Sequence, residues 1–266
     1  MNDERPVIIA QISDLHCGSQ YHIPSLATRV VDEINELAPD ALVVTGDLTD
    51  MGFRQEFKVA HRLISRMQVD NVLVLPGNHD ARNVGDLHFE ELFGSRSTEL
   101  AFGGVRILGL DSSEPDLDNG RVGRQRYAWI EERFSDPAEF KIVALHHHLL
   151  PVPGTGRERN IVYDAGDLLR VLNSSGCHVV LCGHKHVPNV WRLEEMVIVN
   201  AGTACSHRLR GMTRASYNII EVYPDRVRVV LKHPFHEPEV VADFERDLRR
   251  ECTWRPHTDG HQGECD

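Results

Sequence analysis

The chain has 266 residues, room for one large α/β domain or two small ones. Hydrophobic residues make up 41% and charged residues 26%, which excludes a disordered or fibrous chain, and no apolar run approaches the ~20 residues of a helical membrane span. A net charge of −11 argues against tight nonspecific binding of long nucleic acid, which depends on Lys and Arg neutralising phosphates. A small phosphate substrate stays compatible with it, because bound cations can supply positive charge locally. The opening Met1-Asn2-Asp3-Glu4-Arg5-Pro6 lacks the basic start and apolar core of a secretory signal, so a cytoplasmic location is expected. Six cysteines, at positions 17, 177, 182, 205, 252 and 265, form no CxxC pair and are expected as reduced packing thiols.

Residues 7–13 read as a buried strand that runs into Asp14-Leu15-His16. Gly18-Ser19 and Pro24 mark a loop. Ser25 is placed to cap a helix over 26–37, with Leu26, Val30, Ile34 and Leu37 as its apolar face. Residues 41–45 form a second strand that ends in Gly46-Asp47. A second helix is expected over 54–68, where Phe53, Phe57, Ala60, Ile64 and Met67 recur at helical spacing. A third strand, 72–75, breaks at Pro76-Gly77 and presents Asn78-His79-Asp80. Strand–helix–strand–helix–strand in this order predicts parallel pairing through right-handed crossovers.

A short helix over 86–93 and a strand pair, 98–102 and 105–110, follow around Gly103-Gly104. A helix over 124–134 leads to strand 141–145, which ends in His146-His147-His148. After a loop over 151–160 and a helix over 164–172, strand 178–182 runs into Gly183-His184-Lys185-His186. Short strands at 190–193, 197–199, 215–222 and 226–232 predict an antiparallel run added to a second sheet. Residues 240–250 are expected as an amphipathic helix, and the polar segment 251–266 as a disordered tail. No repeat or low-complexity linker intervenes, so residues 1–250 are expected to form one domain.

Five strands therefore deliver Asp, His or Asn to what can be a single edge. In open α/β sheets chemistry sits beyond the carboxyl ends of the strands. A buried strand gains nothing from an amide, an imidazole and a carboxylate at its exit unless they share a task. Asp14 and His16, two apart at a strand end, can turn into one space. Asp47, alone on a tight glycine turn, is the candidate to bridge two ions. Asn78 offers a neutral oxygen, and His146, His184 and His186 offer nitrogens. This donor set is sufficient for two ions of five- or six-coordination. Two ions about 3.5–4 Å apart can activate a bridging water and stabilise both oxygens of an in-line displacement at phosphorus.

The combination Asp14-x-His16, Gly46-Asp47, Gly77-Asn78-His79-Asp80, His146-His147 and Gly183-His184-x-His186 resembles the calcineurin-like metallophosphoesterase family over roughly residues 7–200. The resemblance implies an α/β fold of four layers, αββα, in which two stacked mixed sheets are flanked by helices. It implies Asp14, His16 and His186 at one metal, Asn78, His146 and His184 at the other, and Asp47 between them. His147 is the alternative to His146, because the chain reads His146-His147-His148-Leu149-Leu150-Pro151 where related enzymes usually read His-His-Pro-Pro. His79 is implied to stabilise the phosphate or protonate the leaving oxygen, with Asp50 orienting it. The implied cofactors are two divalent or trivalent transition-metal ions, Fe, Mn or Zn.

Within the family, Asp50 stands where purple acid phosphatases place a tyrosine, and residues 46–52 lack the arginine of protein Ser/Thr phosphatases. Leu110-Asp111-Ser112, Gly120, Gly123, Gln125, Trp129 and Asn200-Ala201-Gly202-Thr203 are similar to bacterial class III cyclic-nucleotide phosphodiesterases and related glycerophosphodiesterases. The resemblance thus implies hydrolysis of small phosphodiesters, 3',5'-cyclic nucleotides among them, by in-line attack of a metal-bridging hydroxide. A phosphomonoesterase or nucleotide-sugar pyrophosphatase on the same site, and a metal-stabilised scaffold, are the alternatives. The expected partner is a small phosphoester, with a homodimer open and neither long nucleic acid nor a membrane expected. Arg157, Arg159, His207 and Arg208 lie in loops that can reach the mouth of the site, and His22 and His148 can lie near it, with solvated surface positions as the other reading for each. His233, His236, His257 and His261 are expected as ordinary surface or tail histidines.

Overall fold

Neighbouring residues in each central strand face two different apolar environments, and this decides the architecture. The computed structural model describes residues 5–156, 158–210 and 213–245. In chain order its first elements are β1 (Val7–Ile12), α1 (Pro24–Leu37), β2 (Ala41–Thr45), α2 (Arg54–Ile64), β3 (Val72–Leu75) and α3 (Gly85–Phe93). Next come β4 (Thr98–Phe102), β5 (Val105–Leu110), α4 (Tyr127–Arg133), β6 (Phe140–Leu145), α5 (Ala165–Ser174) and β7 (Val179–Cys182). The last are β8 (Asn189–Leu193), β9 (Met196–Asn200), β10 (Tyr217–Val222), β11 (Arg226–Lys232) and β12 (Glu239–Glu245).

One six-stranded sheet has the order β12-β11-β10-β1-β2-β3, the other β4-β5-β6-β7-β9-β8. Their centres are parallel, β1–β2–β3 and β5–β6–β7–β9, and their margins antiparallel. Ile9, Val43, Leu75, Ile107, Ile142 and Val199 fill the space between the sheets. Ala10, Ile12, Leu42 and Val44 point the other way and pack on Val30 and Ile34 of α1, Phe57 of α2 and Phe89 of α3. Leu108, Val143 and Val180 pack on Ile130 of α4 and Leu168 and Leu172 of α5. The period-2 alternation of strand side chains thus produces the four layers that the family resemblance implies. Burial on both faces explains why these strands read as unbroken apolar runs. Ile142 has no exposed surface, and cutting it to Ala would cost about 2–5 kcal/mol.

Polar bonds tie the two sheets together where the loops after β1 and β7 emerge. Gln11 Nε2 of β1 donates to the Cys182 carbonyl of β7 at 3.0 Å, and Asn218 Nδ2 of β10 donates to Gln11 Oε1 at 3.0 Å. These buried groups are satisfied by one another, which fixes the sheets at this end.

Four expectations are corrected. The helix expected over 240–250 is a strand, β12, in its described part. Val240 and Val241 are β-branched, and Ala242 and Phe244 pack against the layer between the sheets. Helix α1 begins at Pro24 with Ile23 as its N-cap and no side-chain cap, so Ser25 lies inside the first turn. Proline's fixed φ starts the helix without it. Helix α2 stops at Ile64, and residues 65–67 form a turn. The late strands divide between sheets: β8 and β9 join the second, while β10 to β12 extend the first, because β10 pairs with β1 across most of its length. Cys17, Cys177, Cys182 and Cys205 are free and buried, as packing thiols should be. Burial pushes the thiols of Cys17, Cys177 and Cys182 up to about 12, which suppresses the reactive thiolate. Cys252, Cys265, Arg157, His257, His261 and the expected tail over 251–266 lie outside the described residues. Among the described residues no helix is long and apolar enough to cross a membrane.

Candidate metal centre

The loops after β1, β2, β3, β6 and β7 converge. Asp14, His16, Asp47 and His186 bring ligand atoms within 4.8 Å of one another, and so do Asp47, His146 and His184. Asp47 belongs to both groups and gives one oxygen to each: Oδ2 is 3.8 Å from His16 Nε2, and Oδ1 is 3.4 Å from His146 Nε2. In the first group His186 Nε2 lies 3.1 Å from Asp14 Oδ1 and 3.0 Å from His16 Nε2. In the second, Asn78 Oδ1 lies 3.2 Å from His146 Nε2 and 3.0 Å from His184 Nδ1. None of these seven residues is more than 7% exposed.

Backbone strain marks five of the seven. Asp14, His16, Asp47, His184 and His186 all have positive φ, between 45° and 70°. L-residues other than Gly rarely adopt this region, and where they do the surrounding structure must hold them. Gly77 lets the β2 and β3 loops touch, since a Cβ there would sit 2.2 Å from Asp47 Oδ1. Asp80 locks that approach. Its Oδ2 accepts from the amides of Leu48 and Gly77, both at 2.9 Å, and its Oδ1 from the amide of Thr49 at 2.9 Å. The position of Asp80 directly after Asn78-His79 was the available signal for this role. His146 Nδ1 donates to the Thr45 carbonyl at 2.7 Å, and His186 Nδ1 to the Arg208 carbonyl, so each ring is held from behind.

The donors fit a pair of cations. Asp14 Oδ1 is buried and accepts no hydrogen bond, although His186 Nε2 stands only 3.1 Å away. An unsatisfied buried acceptor costs about 1–3 kcal/mol, which a cation bound between these atoms would remove. Burial drives the His16 imidazole down to about 3 and His184 well below its ordinary value, leaving both as neutral lone-pair donors. Burial would also lower His146, but the Asp47 carboxylate beside it raises it to about 9. Burial alone would raise Asp47, yet the imidazoles of His146 and His79 hold it well below the carboxylate range. Carboxylate, amide and imidazole donors suit Fe, Mn or Zn.

His146 and His147 part company. His147 Nδ1 lies 2.9 Å from Ser112 Oγ and its Nε2 3.3 Å from the Asp118 carbonyl, so both nitrogens are engaged away from the cluster. His79 is buried at the rim, and its amide donates to Asp47 Oδ1 at 2.9 Å. Asp50 faces His79 with both its main-chain carbonyl and its carboxylate. His79 Nδ1 donates to the Asp50 main-chain carbonyl at 2.6 Å, and the carboxylate stands 3.8 Å off. That carboxylate also accepts from Arg208 Nη1 at 3.3 Å.

A cavity of about 180 Å³ opens on the cluster, lined by Asp47, Asn78, His79, Arg82, Asn160 and Arg208 among others. A cleft of about 740 Å³ shares His79, Arg82 and Arg208 with it and adds Tyr21, Met51 and His207. Arg82 was not singled out by sequence, and its Nη2 donates to Asp118 at 2.7 Å. Arg208 lines both spaces and His207 the larger cleft, whereas Arg159 is exposed and lines neither. His22 Nδ1 donates to the Leu15 carbonyl at 2.9 Å behind the first loop, and His148 stacks on His184. His233 Nδ1 donates to the Ala215 carbonyl and His236 is exposed, and neither joins the donor groups or lines either space.

The sequence pattern of one protein family, described as calcineurin-like phosphoesterase, matches residues 8–188, a span that contains all seven donors. The chain belongs to the calcineurin-like phosphoesterase family. Members of this family are phosphoester hydrolases and use a dinuclear metal centre. The chain is 27% identical over 197 residues to a 3',5'-cyclic-nucleotide phosphodiesterase of a Nostoc species, covering 70% of this chain and 74% of that one. It is 29% identical over 199 residues to a glycerophosphodiester phosphodiesterase of Enterobacter lignolyticus, covering 68% and 71%. The solved structure of a purple acid phosphatase from yellow lupin shares the calcineurin-like fold with a TM-score of 0.72 at 13% identity. It covers 91% of this chain, and the chain spans 54% of that structure's length.

Proposed function

We propose that this chain is a two-metal phosphodiesterase acting on small phosphodiesters, with cyclic nucleotides among its substrates. The observation that carries this is the division of Asp47's two oxygens between two buried donor groups beside a cavity rimmed by His79. Asp14, His16 and His186 would hold one cation and Asn78, His146 and His184 the other, with Asp47 between them. When bound, such cations supply Lewis-acid charge to phosphoryl oxygens and lower the pKa of water.

The chain's own residues do the rest. The Asp50 carbonyl, 2.6 Å away, accepts from His79 Nδ1, and Arg82 Nη1 stands 3.0 Å from the same atom. In the imidazolium form, Nε2 then carries the proton offered to the leaving oxygen, the role of a general acid. Arg82 and Arg208 place two guanidinium groups at the rim, where they hold the phosphoryl group in position. The larger cleft beyond His79 has room for the second ester substituent, which a monoester lacks. The names of the Nostoc and Enterobacter relatives support the same substrate class.

Protein loaded with Mn or Zn should hydrolyse bis-p-nitrophenyl phosphate at least tenfold more efficiently than p-nitrophenyl phosphate. A preference for the monoester would overturn the diesterase assignment, and absence of any phosphoester hydrolysis would favour a scaffold. Cyclic nucleotides, glycerophosphodiesters and nucleotide diphosphate esters, compared by kcat/KM, would then rank the natural substrate classes.

A further inference from the structure

Three groups close on one another beside the donor cluster, and the chemistry above gives them no task. Lys185 separates two donor histidines in sequence and is only 2% exposed. Its Nζ is 3.2 Å from Glu158 Oε1 and donates to the Arg159 carbonyl at 3.1 Å. His148, fully buried, donates from Nε2 to the same Glu158 oxygen at 2.7 Å. With its proton on Nε2 the ring keeps a bare Nδ1, which has no partner among the described residues. The His148 ring lies 11° from parallel with His184, centroids 5.6 Å apart. Glu158 thereby fastens its segment to the wall of the cluster through two buried side chains.

Burying an ammonium is costly, and apolar contacts could anchor a surface loop at less expense. What the ion pair adds is placement. Two residues after Glu158 comes Asn160, which lines the same 180 Å³ cavity as Asp47, Asn78 and His184. Asn160 has φ 59°, a left-handed conformation that Asn tolerates better than most residues. Its side-chain amide is half-buried and makes no hydrogen bond among the described residues, so its N–H groups are available to an anion.

We infer that Glu158, gripped by Lys185 and His148, positions the Asn160 amide to donate to a non-bridging phosphoryl oxygen of the bound substrate. Asn160 is a substrate-binding residue and Glu158 a positioning residue. The inference rests on the phosphodiesterase assignment and specifies how that site holds its phosphate.

The test uses Asn160→Gly, which removes the amide but keeps the left-handed backbone. It also uses the pair Glu158→Ala with Lys185→Met, which removes the clasp without stranding a buried charge. Each should raise KM for bis-p-nitrophenyl phosphate about tenfold, with kcat within about threefold and metal content unchanged. The combined variant should rise no further than either alone, because both act on one contact. Trypsin should cut after Arg159 faster in the clasp variant and not in Asn160→Gly, a readout independent of turnover. An unchanged KM in Asn160→Gly, multiplying effects in the combined variant, or loss of metal with kcat in the clasp variant would overturn the inference. If the parent protein hydrolyses no phosphoester, the diesterase assignment fails by itself. Calorimetric binding of inorganic phosphate to metal-loaded protein then decides: weakening by Asn160→Gly supports the contact, and unchanged binding overturns it.

Discussion

His79 Nδ1 donates to the main-chain carbonyl of Asp50 at 2.6 Å, while the Asp50 carboxylate turns to Arg208. A main-chain acceptor survives side-chain substitution. Asp50→Asn should therefore keep kcat within about threefold, whereas His79→Ala should lower it by about 10²–10⁴ with metals retained. Steady-state kinetics with metal analysis on both variants checks this. A fall in Asp50→Asn as deep as that in His79→Ala would mean the carboxylate itself is needed.

Asp47 stands between the two donor groups, so losing it should disturb both. Asp47→Ala is expected to drop bound metal from two ions per chain to below one, and kcat by more than about 10³-fold. Chelator treatment of the parent should abolish turnover and lower Tm, since a ligand that binds only the folded state stabilises it. Elemental analysis and calorimetry read these effects, and turnover that persists after metal stripping would refute the two-metal assignment.

Adjacent histidines should behave differently. His146→Asn is expected to lose metal from the group it shares with Asn78 and His184. His147→Asn should keep metal and instead reduce stability by about 1–3 kcal/mol, because it breaks the bond to Ser112 in a fully buried site. Metal content and urea midpoints separate the two. The reverse pattern would make His147 the ligand.

Burial holds His147 at about 3 and His148 at about 4 in the metal-free fold, against 6.5 for an ordinary histidine. Both are neutral when folded, so their contribution is complete above about pH 6.5. It is lost as pH falls and the unfolded chain takes up protons the fold refuses, by up to about 1.4 kcal/mol per pH unit for each histidine. His146, raised to about 9, acts oppositely and loses its contribution as pH rises toward that value. The urea midpoint of chelated protein should therefore fall between about pH 6.5 and about pH 5. A flat profile would show that these rings ionise inside the fold.

Much of the site was legible because its parts have local signatures. An apolar run that stops at Gly-Asp or Gly-Asn-His-Asp needs no long-range information to stand out, and the parallel strands carry those stops to one edge. Arg82 and Asn160 were not singled out, because a lone polar residue in a loop looks the same whether it meets solvent or a cavity.

The order of apolar strands and the donor types at their ends were settled by sequence alone, since period and residue chemistry are local properties. Only the tertiary structure decided that His146 enters the cluster while His147 leaves it, that Asp50 serves His79 through its backbone, and that Glu158 meets Lys185 and His148. It also decided that β12 extends the first sheet. Each of these depends on the direction of a side chain or the pairing of distant strands, which follow from packing across the whole chain and not from any short stretch of it.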